Sequence, residues 1–569
     1  MSQSVEVNSV ESEAIAAPAV QAGQRSAARS GTRAIGFALA LMFVLGFGLR
    51  LSGVSALGFA EDEINKLEAV RAYGRGDISP NAEHPMLMKA LMFVSMQAAE
   101  AWNARQPANQ ISDEAALRFP NLLFGALTAL PIFLLTAAFF DRRTALLAAT
   151  LWAFGVNAIT YNRIAKEDTL LVFFMLFAFY FYLRAKQTSG HDARGKRLNY
   201  GLSGAAFGLM LASKYFPHYF GLNALYHHLF RVRERQPGEP QWKTPGLFYL
   251  LMLVVFLVAN PSVLLPQTWA YLQAYTSGEL LTHTGYLVGD TLYKNNMSST
   301  PFWGTPFYFY LLFLAIKVPI PIIIAFIVGL VTALRRWRHP GHAFVLLMFI
   351  LWIVPYSLIG AKWLRYTLSL MPLVYILAAI GIMTLAGWSA ALFKRLKIER
   401  ASVFAYAAIL LFFIALPAWA AYKSAPHYAL YTNKFVSEST AGFYFPHDEF
   451  YDDGLREAIR YVCENAPQGA IIAHETPGVV RFYLQKFGRT DLQSRVLSDP
   501  SFNIDPEQDT YIILQRGRTY FENQEKMNQA LSLFPLVYAS CLRRGLAAAE
   551  VYATKNGTRL ASMCPDVNL

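Results

Sequence analysis

Five short stretches of this 569-residue chain, far apart in sequence, carry ionisable side chains beside long apolar runs. They are Asp62 and Glu63, then His84 and Lys89, then Arg163 with Lys166, Glu167 and Asp168, then Lys214, then Lys362 with Arg365. Ionisable groups in or near lipid are costly to keep there, which marks them as candidates for a site. Taken singly, each would serve as well as an interfacial anchor whose stem lies along apolar surface. Together they define a chemistry. Several Lys and Arg side chains at headgroup height suit a phosphate or pyrophosphate. A carboxylate pair beside them suits a general base. A lipid-phosphate donor with a hydroxyl acceptor would use both features.

The elements that must position these groups are membrane spans. Hydrophobic residues make up 54% of the chain and charged residues 15%, against about 25% in soluble domains. With about 20 apolar residues needed to cross a bilayer, candidate spans fall at 34–52, 117–139, 143–160, 167–184, 199–213, 216–230, 245–264, 306–334, 342–360, 367–388 and 402–422, eleven in all. With a cytoplasmic N-terminus, five loops (141–143, 184–197, 231–243, 335–338 and 394–400) collect 18 basic and 5 acidic residues on one side, a net +13. That is the positive-inside pattern. The whole-chain charge is +12, so topology accounts for the basicity and a nucleic-acid partner is unnecessary. The five ionisable stretches fall on the opposite face.

Three regions are expected. Residues 1–33 are polar and rich in Ala, Ser and Gln, and read as a disordered cytoplasmic tail. Residues 34–424 form the membrane domain, with a first outer loop at 53–116. Residues 425–569 read as an extracytoplasmic α/β domain: helices at 453–465 and 479–486, strands at 470–473 and 511–514. The fold class is therefore a polytopic α-helical membrane protein with a C-terminal soluble α/β domain. Cys463, Cys541 and Cys564 allow one bridge and one free thiol. Asn296-Met297-Ser298 and Asn556-Gly557-Thr558 are glycosylation sequons on the outer side.

At the level of motifs, Phe59-Ala60-Glu61-Asp62-Glu63 followed by His84-Pro85-Met86-Leu87-Met88-Lys89 resembles the acidic pair and the His-Pro-Pro-Leu-x-Lys element of the protein O-mannosyltransferase and aminoarabinose-transferase group. Arg163 to Asp168 resembles that group's Arg-x4-Asp. Ser213-Lys214-Tyr215 resembles its lysine turn, and Lys362-Trp363-Leu364-Arg365-Tyr366 with Pro372 its late Arg-Tyr element. The resemblance spans about residues 34–422 and departs at Met86, where a second Pro is usual. The tail does not resemble the MIR domain of eukaryotic mannosyltransferases, whereas 444–452 looks like a segment of bacterial members.

The resemblance implies a GT-C-fold, family-39-like glycosyltransferase of bacterial type, in the inner membrane. It would move a sugar from a polyprenyl-phosphate donor to a hydroxyl of a protein, glycan or lipid, with inversion. On that reading Asp62 is the base, with Glu63 as its substitute or positioner. Lys89, Lys214, Arg365 and Lys362 bind the phosphate. Arg163 and Asp168 form a supporting ion pair, and His84 starts a helix. No cofactor is required, since basic side chains can neutralise a monophosphate, although Asp62 and Asp168 could hold a divalent cation. An oligosaccharyltransferase would need a metal and a Trp-Trp-Asp motif, which is missing here. The other readings are a transporter or flippase of lipid-linked or anionic substrates, which would favour repeats and midplane charges, and an assembly subunit docking through the tail.

Overall fold

The computed structural model describes residues 17–215, 233, 235–277, 284–295, 304–437, 440–542, 545–555 and 564. The segment 216–230 and both sequons lie outside the described residues.

Helix α1 (Ala17–Leu51) begins well before the apolar run. The stretch expected to be unstructured is thus helical from Ala17 onward, in keeping with the high helix propensity of its alanines. The outer segment that follows carries α2 (Glu61–Tyr73) and α3 (Met86–Arg105). Next come α4 (Asp113–Leu127), α5 (Ala129–Phe139), α6 (Arg142–Phe154), α7 (Val156–Asn162), α8 (Asp168–Gln187) and α9 (Ala193–Ser213). After them lie α10 (Gly246–Ala259), α11 (Pro266–Ser277), α12 (Phe309–Lys317), α13 (Ile320–Arg335), α14 (Pro340–Leu358), α15 (Met371–Arg395) and α16 (Glu399–Ser424).

Among the described residues six helical stretches are long and apolar enough to span a bilayer, or seven if the bent pair α6–α7 counts as one. The expected eleven are therefore not reached, for identifiable reasons. Gly155 breaks 143–160 into two helices bent by 54°. A side chain there would meet the Tyr375 hydroxyl at 2.1 Å, so only glycine lets α7 fold under the bundle. Pro319 divides 306–334 into α12 and α13, since proline forbids the helical conformation for the residue before it. Helices α10 and α13 are apolar but short. Helix α9 begins with Arg194, Lys196 and Arg197.

Helices α13 and α15 cross where Gly329 faces Gly381. A methyl group at either would lie 1.8 Å from a carbonyl oxygen of the opposite helix, so the backbones touch. Immediately before α15, residues Leu364–Ser369 form a 3₁₀ turn that holds Arg365.

The C-terminal region contains α17 (Pro446–Phe450), α18 (Leu455–Asn465), α19 (Pro477–Lys486) and α20 (Gln524–Leu533). Its five-stranded sheet has the order β4-β3-β5-β7-β6, with β3 (Ile471–His474), β4 (Gln493–Val496), β5 (Thr510–Leu514), β6 (Leu536–Cys541) and β7 (Ala547–Ala553). Strand β3 runs parallel to β4 and β5, whereas β7 is antiparallel to β5 and β6. A small hairpin, β1 (Tyr286–Val288) and β2 (Thr291–Tyr293), lies in the second outer loop. Cys541 and Cys564 are bridged, and Cys463 is a buried free thiol. The tail is not a detached module. Phe59, Ile64, Leu67 and Met88 of the outer segment share one core with Ile459, Val479 and Tyr483 of the tail.

Candidate active site

The entry to α8 gathers the site. Lys166, Glu167 and Asp168 are consecutive, and each meets a different element. Lys166 Nζ pairs with Asp62 Oδ1 at 2.9 Å, and Glu167 pairs with Lys66 at 2.6 Å. Both partners lie on α2 at i and i+4, one turn apart on the same face. Asp168 pairs with Lys214, just beyond α9, at 2.5 Å. Arg365 then closes the group from the 3₁₀ turn, with Nη1 3.2 Å from Asp62 Oδ2. Lys214 and Arg365 both sit over the ring of Tyr366, at 4.6 and 5.6 Å from its centroid. Four cations thus meet three carboxylates. Adjoining them, Arg518 meets two further carboxylates, Asp452 and Glu61.

Exposure separates the members. Glu167 and Lys66 are 1% exposed, whereas Asp62 keeps 32% of its side chain open. Burial pushes the Asp62 carboxyl up, but the Lys166 and Arg365 charges outweigh burial and hold it well below the usual carboxylate range. Asp62 is therefore an ionised carboxylate that an incoming molecule can reach. Arg365 and Lys214 are 15% and 14% exposed beside it.

Glu63 faces the other way. Arg118 binds both its oxygens, at 2.8 and 2.5 Å, and the Ala165 and Ala60 N–H groups supply two more hydrogen bonds. All four of its lone-pair positions are used inside the protein. The expectation that Glu63 could stand in as the base is therefore corrected: it is a buried tie between α2, α4 and the α7–α8 turn.

Other expected ligands are also engaged elsewhere. Lys89 is fully buried and donates to the carbonyls of Asn81 and His84, the latter at 2.9 Å. It caps the turn into α3 instead of facing Asp62, although Asn81 also binds Lys66 through its side chain. Burial pushes the Lys89 ammonium down to about 7. Lys362 donates to the carbonyls of Thr305, at 2.6 Å, and Ile359, and burial lowers it to about 8. Arg163 and Asp168 are not an ion pair. Arg163 binds the carbonyls of Arg50, Ser52 and Gly53 at the end of α1, where a cation complements the helix dipole. His84 precedes Pro85, the N-cap of α3, and burial together with the Lys66 charge keeps its ring neutral. Asp62 pairs with Lys166 and Arg365, and Asp168 with Lys214. Among the described residues no group of three or more His, Cys, Asp or Glu is placed for a metal.

Four participants were missed from sequence. Lys66 had a signal in its i,i+4 spacing from Asp62. Tyr451 lies in the 444–452 segment that looks like bacterial members, a resemblance with no role attached, whereas Arg118 and Arg518 had no signal, because they reach the site from other elements. The Tyr451 hydroxyl, from the tail, donates to Asp62 Oδ2 at 2.8 Å.

The model of the dolichyl-phosphate-mannose-protein mannosyltransferase family matches residues 109–265, which hold the Arg163–Asp168 and Lys214 motifs. No curated protein matches the chain. Among solved structures, ArnT from Cupriavidus metallidurans bound to undecaprenyl phosphate is 15% identical, with a TM-score of 0.49 over 94% of this chain and 99% of its own. The oligosaccharyltransferase AglB from Archaeoglobus fulgidus, in complex with an inhibitory peptide and a dolichol-phosphate, is 12% identical, with a TM-score of 0.47 over 88% and 72%. The Pmt1–Pmt2 protein O-mannosyltransferase complex of S. cerevisiae is 17% identical, with a TM-score of 0.31 over 45% and 38%.

Proposed function

We propose that this multi-pass membrane protein is a glycosyltransferase that moves a sugar from a polyprenyl-phosphate donor to an acceptor hydroxyl on the extracytoplasmic face, with inversion. The observation that carries the reading is the setting of Asp62. It is a partly open, ionised carboxylate held between Lys166 and Arg365, with Lys214 on the same tyrosine ring as Arg365. The motif resemblance and the family match over 109–265 supply the donor class.

In the step, Asp62 takes the acceptor proton. The acceptor oxygen forms a bond to the anomeric carbon as the bond from that carbon to the phosphate oxygen breaks. The phosphate leaves with the electron pair and meets Arg365 and Lys214. A positioned base contributes about 10²–10⁴-fold, and preorganised charges at the leaving group are usually the largest contribution. Because the leaving group is a monophosphate, the reading needs no metal, and turnover should survive a chelator. The acceptor is a protein, glycan or lipid hydroxyl of the bacterial cell envelope, with the tail outside the cytoplasm.

The test uses the purified full chain in lipid nanodiscs with a panel of polyprenyl-phosphate sugars, reading release of polyprenyl phosphate. Asp62→Asn should insert normally and lose about 10²–10⁴-fold in turnover. Near-normal turnover, or release from none of the donors by the wild-type chain, overturns the reading.

A further inference from the structure

The residue that completes the surroundings of Asp62 comes from outside the membrane domain. Lys166 occupies one position on Oδ1, and Arg365 and the Tyr451 hydroxyl both meet Oδ2. Among the described residues the Tyr451 hydroxyl is thus the hydrogen-bond donor that fixes Oδ2, while Lys166 and Arg365 flank the carboxylate as charges. We propose that Tyr451 is a positioning residue for Asp62, fixing the orientation in which its carboxylate meets the acceptor, and that the C-terminal domain thereby completes the active site. This rests on the assignment of Asp62 as the base.

The segment that carries Tyr451 is built to hold it there. Asp448 accepts a hydrogen bond from the Tyr286 hydroxyl of the β1 hairpin. Glu449 pairs with Lys317 at the end of α12, at 2.5 Å, and accepts from the Gly442 N–H at 2.7 Å. On the other side Asp452 accepts from the Glu61 N–H at 2.9 Å, directly before Asp62. Arg518 Nε holds Asp452 at 2.7 Å, and its Nη1 reaches Glu61 at 2.7 Å. Acidic residues on both sides of Tyr451 are therefore anchors, while the tyrosine hydroxyl is the group that meets Asp62.

The backbone agrees. Tyr451 and Asp452 have φ of 44° and 60°, a conformation that non-glycine residues rarely adopt and that is exceptional for a bulky one. Such conformations persist where the surroundings over-determine them, and they cluster at functional sites. Here the left-handed pair reverses the chain after α17, carrying Asp452 to the start of α2 while Tyr451 reaches Asp62.

The experiment uses the full chain in nanodiscs with polyprenyl-phosphate mannose, or whichever donor of the panel turns over, reading polyprenyl phosphate release. Tyr451→Phe removes one oxygen and keeps the ring. Its kcat should fall about tenfold to a hundredfold, the cost of a misaligned reacting group, with the donor KM within about threefold and an unchanged melting temperature. In an Asp62→Glu background, where the displaced carboxylate no longer meets the hydroxyl, adding Tyr451→Phe should cost nothing more. Tyr538→Phe, on β6 and stacked on Tyr461, is the control and should turn over normally. A kcat for Tyr451→Phe within twofold of wild type overturns the proposal, as does an equal fractional loss in both backgrounds, which would mark a purely structural role. Near-normal turnover of Asp62→Asn instead overturns the base itself, whatever Tyr451→Phe does.

Discussion

Asp62 and Glu63 are neighbours of one charge type with opposite fates, and the difference is decided by helical geometry. Adjacent residues on a helix point about 100° apart, so one carboxylate faces the open cluster while the other is enclosed by Arg118. Glu63→Gln should therefore act on stability. Removing one partner of a buried pair costs about 3–5 kcal/mol, which a thermal unfolding scan would register as a large drop, whereas Asp62→Asn, at a side chain one-third open, should lower the melting temperature less. Lys89 gives a second residue-scale test. Its folded value of about 7 lies below the ordinary 10.5. Between those two values the unfolded chain binds one more proton than the folded chain, so this lysine makes stability rise with pH across that window. Lys89→Met should remove that rise, seen as a smaller difference in melting temperature between pH 7 and pH 10 than in the wild type. The sequence showed which side chains were ionisable and that they bordered long apolar runs. It could not show that Lys89, Lys362 and Arg163 face backbone carbonyls, because that depends on turns whose direction no local pattern encodes.

At the scale of elements, legibility followed periodicity. Helices α18 and α19 and strands β3 and β5 were read within a few residues because each is an apolar or amphipathic run. Strand β4 reads Gln-Ser-Arg-Val at a sheet edge, and β7 is rich in alanine, so neither carries the β-branched or aromatic signal of a strand. Among the described residues spans were overcounted because hydropathy does not see Gly155 or Pro319 and does not show that α10 and α13 are short. Gly155 should accordingly resist change. Gly155→Ala drives a methyl group into the Tyr375 ring and the Leu151 carbonyl and should lower the yield of folded protein, and Tyr375→Phe, which leaves the ring carbon at 2.6 Å and the carbonyl at 2.5 Å, should restore little of that yield.

For the whole molecule, the boundary drawn at residue 425 does not coincide with a boundary in the packing. The outer segment and the tail bury their apolar faces against each other, with Leu67 and Val480 at 1% and 0% exposure. Leu67→Ala should cost about 2–5 kcal/mol. It should also render both regions sensitive to protease together, whereas independent domains would leave the tail resistant. The glycine crossing of α13 and α15 has a mechanical consequence at this same scale. Gly381 lies ten residues, about 15 Å, into the helix that follows the 3₁₀ turn holding Arg365. The contact at Gly329 is its fulcrum. Prying the two backbones apart with Gly381→Ala should shift Arg365 relative to Asp62, so under the proposed function a methyl group far along the helix from the cluster should raise the donor KM.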